Sequence, residues 1–222
     1  MCAEKANPEA MPEAMIDHLV EAGQFEQASE LLYQLAIENA KKRDFIKSEA
    51  FRDRLYEVDS MALTRIVEVN ELIEHEKSRA ITPDHRRLWA RFFEGLSPEE
   101  ANAFFFALKE EEFDSEALIL QQGQRNDRLY LIDKGQLKQI YNNQEKEVLI
   151  NRLGSGDIVG EDTFFSVNVC TASVKTLTQS RVKYLDRSDL ERLKRDHALL
   201  DASLRKICCS GRSLFERLRQ KG

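Results

Sequence analysis

Apolar positions set the first expectations. From Pro12, Met15, Ile16, Leu19 and Val20 recur at helical spacing and stop at Gly23, a residue suited to a helix C-terminus. A second stripe, Phe25, Ala28, Leu31, Leu32, Leu35 and Ile37, predicts the next helix. Phe45, Ala50, Phe51, Leu55 and Val58 predict a third, and Leu63, Ile66, Val67, Leu72 and Ile73 a fourth. Little Gly or Pro separates them, so short joints and antiparallel neighbours follow, with residues 1–11 as a frayed tail. A helical domain is therefore expected over residues 1–79 and a second domain over residues 80–222. The charged stretch 75–87, with Pro83, marks the boundary. Beyond it, Leu88, Trp89, Phe92 and Phe93 form one apolar face broken at Gly95. Ser97-Pro98-Glu99-Glu100 then opens another helix as a capping box, completed by Phe104, Phe105, Phe106 and Leu108 as core.

After Phe113 the period shortens to that of strands. Ala117 to Leu120 is a short apolar run ended by Gln122-Gly123, and Arg128 to Asp133 is another ended by Lys134-Gly135. Gln136 to Tyr141 and Glu147 to Leu153 alternate like a hairpin around Asn142-Asn143. Ala172 to Thr178 and Arg181 to Asp186 read as a final strand pair turned at Gln179-Ser180. Short strands at this spacing indicate an α+β chain: an N-terminal helical bundle, then an antiparallel double-sheet β-roll, jelly-roll-like, flanked by helices. From Ser188 the pattern is helical to the end. Leu190, Leu193, His197, Leu200, Leu204, Ile207, Gly211, Leu214 and Leu218 make a heptad seam.

The 222 residues hold 39 acidic and 33 basic side chains, a formal charge of −6 that reads as mixed along the chain and offers no basic face to nucleic acid. No apolar run approaches a membrane span and the N-terminus lacks a signal-peptide profile, so a cytoplasmic protein with no membrane partner is expected. Cys2, Cys170, Cys208 and Cys209 have neither disulfide-framework nor metal spacing, and His18, His75, His85 and His197 are scattered, so no metal is expected. No nucleophile–base pairing, Walker loop or dinucleotide fingerprint is present, and an enzyme is not expected.

The densest chemistry lies in Leu153-Gly154-Ser155-Gly156-Asp157-Ile158-Val159-Gly160-Glu161-Asp162-Thr163-Phe164-Phe165, running on to Cys170-Thr171-Ala172. Its glycines permit sharp turns and close approach, and the order predicts a tight turn, a short buried strand and a one-turn helix. This run resembles the phosphate-binding cassette of the cyclic-nucleotide-binding domains of catabolite activator proteins and cyclic-AMP-dependent kinase regulatory subunits. Gly156-Asp157, Gly160-Glu161, Thr171 and Ala172 match the family pattern at its spacing, whereas Cys170 stands where the family has Arg. The resemblance spans about residues 86 to 210. It implies a ligand site of Gly160, Glu161, Asp162, Thr163, Cys170, Thr171 and Ala172, with the Glu on the ribose 2′-hydroxyl and the missing Arg on the cyclic phosphate. A neutral thiol is a weak donor and Asp162 competes for the helix N-terminus, so affinity for cyclic AMP or cyclic GMP is expected to fall by at least about a hundredfold, for about 2.7 kcal/mol of lost contact.

Ala22-Gly23-Gln24-Phe25-Glu26-Gln27-Ala28 also resembles the middle of a tetratricopeptide repeat. A weaker echo follows twenty residues later at Arg43-Asp44-Phe45-Ile46-Lys47-Ser48, against that family's period of about 34. Two function classes stay open: a sensor with weak or absent cyclic-nucleotide binding, or an interaction module with a vestigial pocket. Either is expected to meet a protein partner through the helical domain. The resemblance also implies that the C-terminal helices close over the ligand or pair two subunits, which places a homodimer contact at residues 189–219. No helix-turn-helix follows the seam, so DNA is not an expected partner.

Overall fold

A computed structural model describes residues 11–143, 146–166 and 169–208. The chain divides into two compact units between Thr82 and Pro83. The division separates charge as well: residues 1–82 hold 17 acidic and 10 basic side chains, a formal −7, and residues 83–222 hold 22 and 23, a formal +1. The negative charge is thus concentrated in the first unit rather than mixed along the chain.

The first unit consists of α1 (Met11–Glu21), α2 (Phe25–Lys42), α3 (Phe45–Val58) and α4 (Leu63–Ala80). The joints α1–α2 and α2–α3 share one geometry. Gly23 at φ 71° and Arg43 at φ 62° are left-handed; Gln24 N–H then bonds Leu19 O and Asp44 N–H bonds Asn39 O, both at 2.9–3.0 Å. Each is a Schellman stop that reverses the chain within two residues. The twenty-residue echo read in the sequence is this repeated turn. Each turn then sets a small residue, Ala28 or Ser48, at a close helix crossing where it is fully buried, and the Ser48 hydroxyl donates to Ala36 O at 2.7 Å. Two apolar clusters fill the unit, one around Ile16, Leu32 and Leu55, the other around Ala36, Ala40, Phe45, Val69 and Ile73.

The second unit opens with α5 (Pro83–Leu88), α6 (Ala90–Gly95) and α7 (Pro98–Ala107). The Ser97 capping box forms both its bonds. Trp89, Phe92, Phe104 and Phe105 are buried core, with Phe92 and Phe104 stacked at 5.0 Å, whereas Phe106 is exposed. Eight strands follow: β1 (Lys109–Phe113), β2 (Leu118–Leu120), β3 (Arg128–Lys134), β4 (Gln136–Asn142), β5 (Glu147–Gly154), β6 (Ile158–Val159), β7 (Ser173–Thr176) and β8 (Ser180–Asp186). They form two antiparallel four-stranded sheets, ordered β1-β8-β3-β6 and β2-β7-β4-β5. The core between them holds Leu120, Tyr130, Ile132, Leu137, Leu153, Val159, Cys170, Val174 and Val182. The β4–β5 hairpin agrees with the alternation read in the sequence. The expected β7–β8 pair does not form: β7 joins β2 and β4 while β8 joins β1 and β3, so Leu177 to Gln179 carry the chain from one sheet to the other.

A one-turn helix, α8 (Glu161–Phe164), lies between β6 and β7; α9 (Arg187–Leu193) and α10 (Leu200–Cys208) end the described chain. The heptad seam is therefore not one continuous helix. It breaks over residues 194–199, and Leu190, Leu200, Leu204 and Ile207 are buried within the single chain. A Cβ on Gly95 would lie 2.8 Å from Ile207, so α10 rests directly on α6. The described half of the expected dimer seam is thus covered by its own unit, and residues 209–219 lie outside the described residues.

Candidate functional site

The cassette is held in place from three sides. The turn before it is pinned to β3 by Gly156 N–H to Ile132 O at 2.9 Å and Ile132 N–H to Asp157 O at 3.0 Å, while the Asp157 carboxylate accepts Gly154 N–H at 2.8 Å. Arg91 of α6, lying over Trp89 and Phe92, donates to Gly156 O at 2.8 Å. The aromatic lead-in and the cassette turn are thereby one assembly. Trp89 Nε1 strengthens it by donating to Asp133 Oδ1 at 2.9 Å.

Gly160 begins α8 with φ 86°, and a Cβ there would sit 2.7 Å from Arg128 O and 2.8 Å from Asn126 Nδ2. Both the positive φ and the crowding call for glycine. Asn126 is the positioning residue that the sequence reading missed. Its Nδ2 donates to Arg128 O at 2.7 Å and to Thr163 Oγ1 at 3.0 Å, and its Oδ1 accepts Arg128 N–H at 3.1 Å. One amide side chain ties α8 to the start of β3. The available signal was Asn126-Asp127 just ahead of an apolar strand, a common turn composition.

Of the seven expected site residues, the structure brings Gly160, Thr163 and Cys170 together. Thr163 Oγ1 donates to Gly160 O at 3.1 Å, and the Cys170 thiol lies close to Thr163. Burial pushes that thiol above its ordinary range, with Thr163 pulling the other way, so Cys170 is neutral at physiological pH. The Cys170 backbone is fixed too, its N–H on Gln124 O at 2.7 Å and its O accepting Gly123 N–H at 2.8 Å. Glu161 is half-buried in the first turn of α8, and Asp162 beside it is exposed. Thr171 is exposed, while Ala172 packs on Ile150 in a cluster separate from the one containing Cys170.

Three arginines lie near the cassette. Arg125 is exposed and shares an isolated β-bridge with Val169, the residue before Cys170. Arg187 of α9 donates to Thr163 O at 2.9 Å and Ser166 O at 3.4 Å, with its guanidinium over Phe164. Arg205 of α10 donates to Phe165 O at 2.7 Å and lies over Phe165. These two arginines answer the carbonyl end of α8, where the helix dipole is negative. They couple both C-terminal helices to the cassette.

At the far end of β8, Asp186 accepts Lys109 Nζ at 2.6 Å and Arg128 Nε at 2.9 Å, and Lys109 Nζ reaches Asp189 Oδ2 at 2.9 Å. Burial alone would raise the Asp186 carboxyl, but these two cations hold it below the usual carboxylate range. Among the described residues, no group of three or more His, Cys, Asp or Glu has the placement of a metal site, and no helix is long and apolar enough to cross a membrane.

Residues 110–197 match the family model of the cyclic nucleotide-binding domain. The CRP-like cAMP-activated global transcriptional regulator of Mycobacterium tuberculosis is 29% identical over 102 residues, which cover 46% of this chain and 46% of that protein. The chain thus spans about half the length of the curated relatives it matches. Among solved structures, the regulatory subunit of a cAMP-independent protein kinase A from Trypanosoma cruzi, bound to guanosine, superposes with a TM-score of 0.51 at 21% identity, over 66% of this chain and 50% of that one. The catabolite activator protein of Thermus thermophilus gives 0.49 at 24% identity, over 59% of each chain.

Proposed function

We propose, proceeding from the cyclic nucleotide-binding domain at residues 110–197, that this chain is a non-enzymatic regulatory protein of the sensor kind whose cassette binds cyclic AMP or cyclic GMP weakly or not at all. One observation carries this reading: the position of the family Arg holds a neutral thiol, and Cys170 is buried in the core between the sheets. A phosphate placed at the start of α8 meets the exposed Asp162 carboxylate and no guanidinium from position 170. The contact forgone is a charge-assisted hydrogen bond, about 1.5–3 kcal/mol. Any ligand that does bind acts on α9 and α10 through Arg187 and Arg205, which hold the end of α8 that its start would move against.

The second reading is an interaction module with a vestigial pocket. Cys170 favours it by packing among Leu120, Tyr130 and Val159 as an ordinary member of the core. Titration calorimetry separates the two. Cyclic AMP, cyclic GMP and guanosine, the last because it has no phosphate, are titrated into the native chain and into Cys170→Arg. The sensor reading expects Cys170→Arg to bind a cyclic nucleotide about tenfold or more tighter than the native chain, from the restored charge-assisted contact. If the folded variant binds none of the three at millimolar concentration, the sensor reading fails and the interaction module stands.

A further inference from the structure

The first unit has a feature that the cassette does not account for. At one end of its bundle a groove of about 590 Å³ lies between the start of α2, the α3–α4 joint and the start of α4, lined by Phe25, Val58, Met61 and Ala62 with Glu26, Asp59 and Arg65. Its apolar rim faces solvent: Phe25 is 52% exposed and Met61 85%. Phe25 and Met61 flank this concave surface as two exposed apolar side chains beside its polar lining.

The charge around the groove selects the occupant. Arg65 is answered by Glu30 at 2.8 Å and also donates to the Ser29 hydroxyl at 3.3 Å, whereas among the described residues Asp59 accepts neutral donors, Met61 N–H at 3.1 Å and that Ser29 hydroxyl at 3.5 Å. Glu26 is exposed at the lip. The local sign is therefore negative, and the surrounding unit carries a formal −7. We propose that this groove docks a basic amphipathic segment of a partner protein, with an apolar side chain seated between Phe25 and Met61 and Lys or Arg facing Glu26 and Asp59. Burial of the apolar anchor supplies affinity, and the acidic field supplies orientation and rejects acidic segments. A helix laid into a helical groove is an established way of presenting such a pattern.

Two synthetic helical peptides test this on the full chain by fluorescence anisotropy. One carries Leu and Phe on one face flanked by Arg; the other has Glu at every Arg position. The Arg peptide should bind at least about tenfold tighter, and its affinity should fall as salt rises. Met61→Ser should weaken it several-fold, and Glu26→Lys should shrink its advantage over the Glu peptide. Both positions are exposed, so circular dichroism should show either variant folded as the native chain. Equal affinity for the two peptides overturns the proposal, as does indifference to both variants. Light scattering that shows the native chain self-associating, with Met61→Ser abolishing it, also overturns it by making a second copy the occupant.

Discussion

The two units use their polar side chains differently. In the first, the long-range polar ties mostly join one side chain to another, as in Tyr33 to Glu68, Arg52 to Asn70 and Lys77 to Glu49, while Lys42–Glu38 stays within one helix. Such pairs leave the backbone to the helices, which close their own hydrogen bonds. In the second, arginines reach main-chain carbonyls across 24, 40 and 65 positions, at Thr163, Phe165 and Gly156. A short helix between two strands cannot close its own ends, so distant guanidinium groups close them. The cassette is consequently ordered by the unit as a whole, whereas the first unit is ordered locally and keeps apolar side chains and negative charge on its surface.

The largest effect should come from a buried seam position. Leu204 is fully buried, so Leu204→Asp loses a core side chain and buries a charge, with an expected loss of about 4 kcal/mol or more. Met61→Asp, at a position 85% exposed, should stay within about 0.5 kcal/mol of the native chain. Thermal unfolding of both variants checks the contrast. A native-like melt for Leu204→Asp would break it, because the seam would then be free for a second subunit.

Next in size is Gly160→Ala. The left-handed φ alone costs about 1–2 kcal/mol, and contact with Arg128 O adds to it, so a loss of about 2–3 kcal/mol is expected in urea unfolding. By contrast Gly23, with φ 71° and open space around its Cβ direction, should cost only the backbone share, about 1–2 kcal/mol, when changed to Ala. Equal losses at the two glycines would mean that Asn126 and Arg128 shift without cost, and that the cassette is less tightly held than its hydrogen bonds imply.

Legibility in the sequence followed the same division. Helices α1–α4 could be read from their stripes, although Met15, Phe25, Ala50, Leu63 and Val67 of those stripes are exposed rather than buried, and Gly23 announced its own turn. In the second unit β1 escaped notice: Lys109-Glu110-Glu111-Glu112-Phe113 does not alternate, and as an edge strand paired only to β8 it need not. The sheet change between β7 and β8 was hidden because alternation reveals a strand but not its partner. Likewise the heptad spacing could not show that residues 194–199 leave the helix. In the cassette the glycines and the short helix were legible from composition. Asn126, Arg187 and Arg205 were not, since a bond to a distant carbonyl leaves no local pattern.

The smallest predicted effect concerns the network around Asp186. Its folded-state carboxyl is depressed by Lys109 and Arg128, so it favours the folded state above the ordinary carboxylate range of about 4. As pH falls below that value, the unfolded chain takes up the proton first; stability declines with falling pH until the depressed folded-state group is protonated too. Asp186→Asn removes that titration. Urea midpoints measured from pH 6 downward should therefore fall less steeply for the variant than for the native chain, although the variant starts from a lower midpoint because Lys109 and Arg128 lose a charged partner. Since Lys109 is largely solvated, added salt should shrink the difference. Parallel slopes would place the acid sensitivity in other carboxylates.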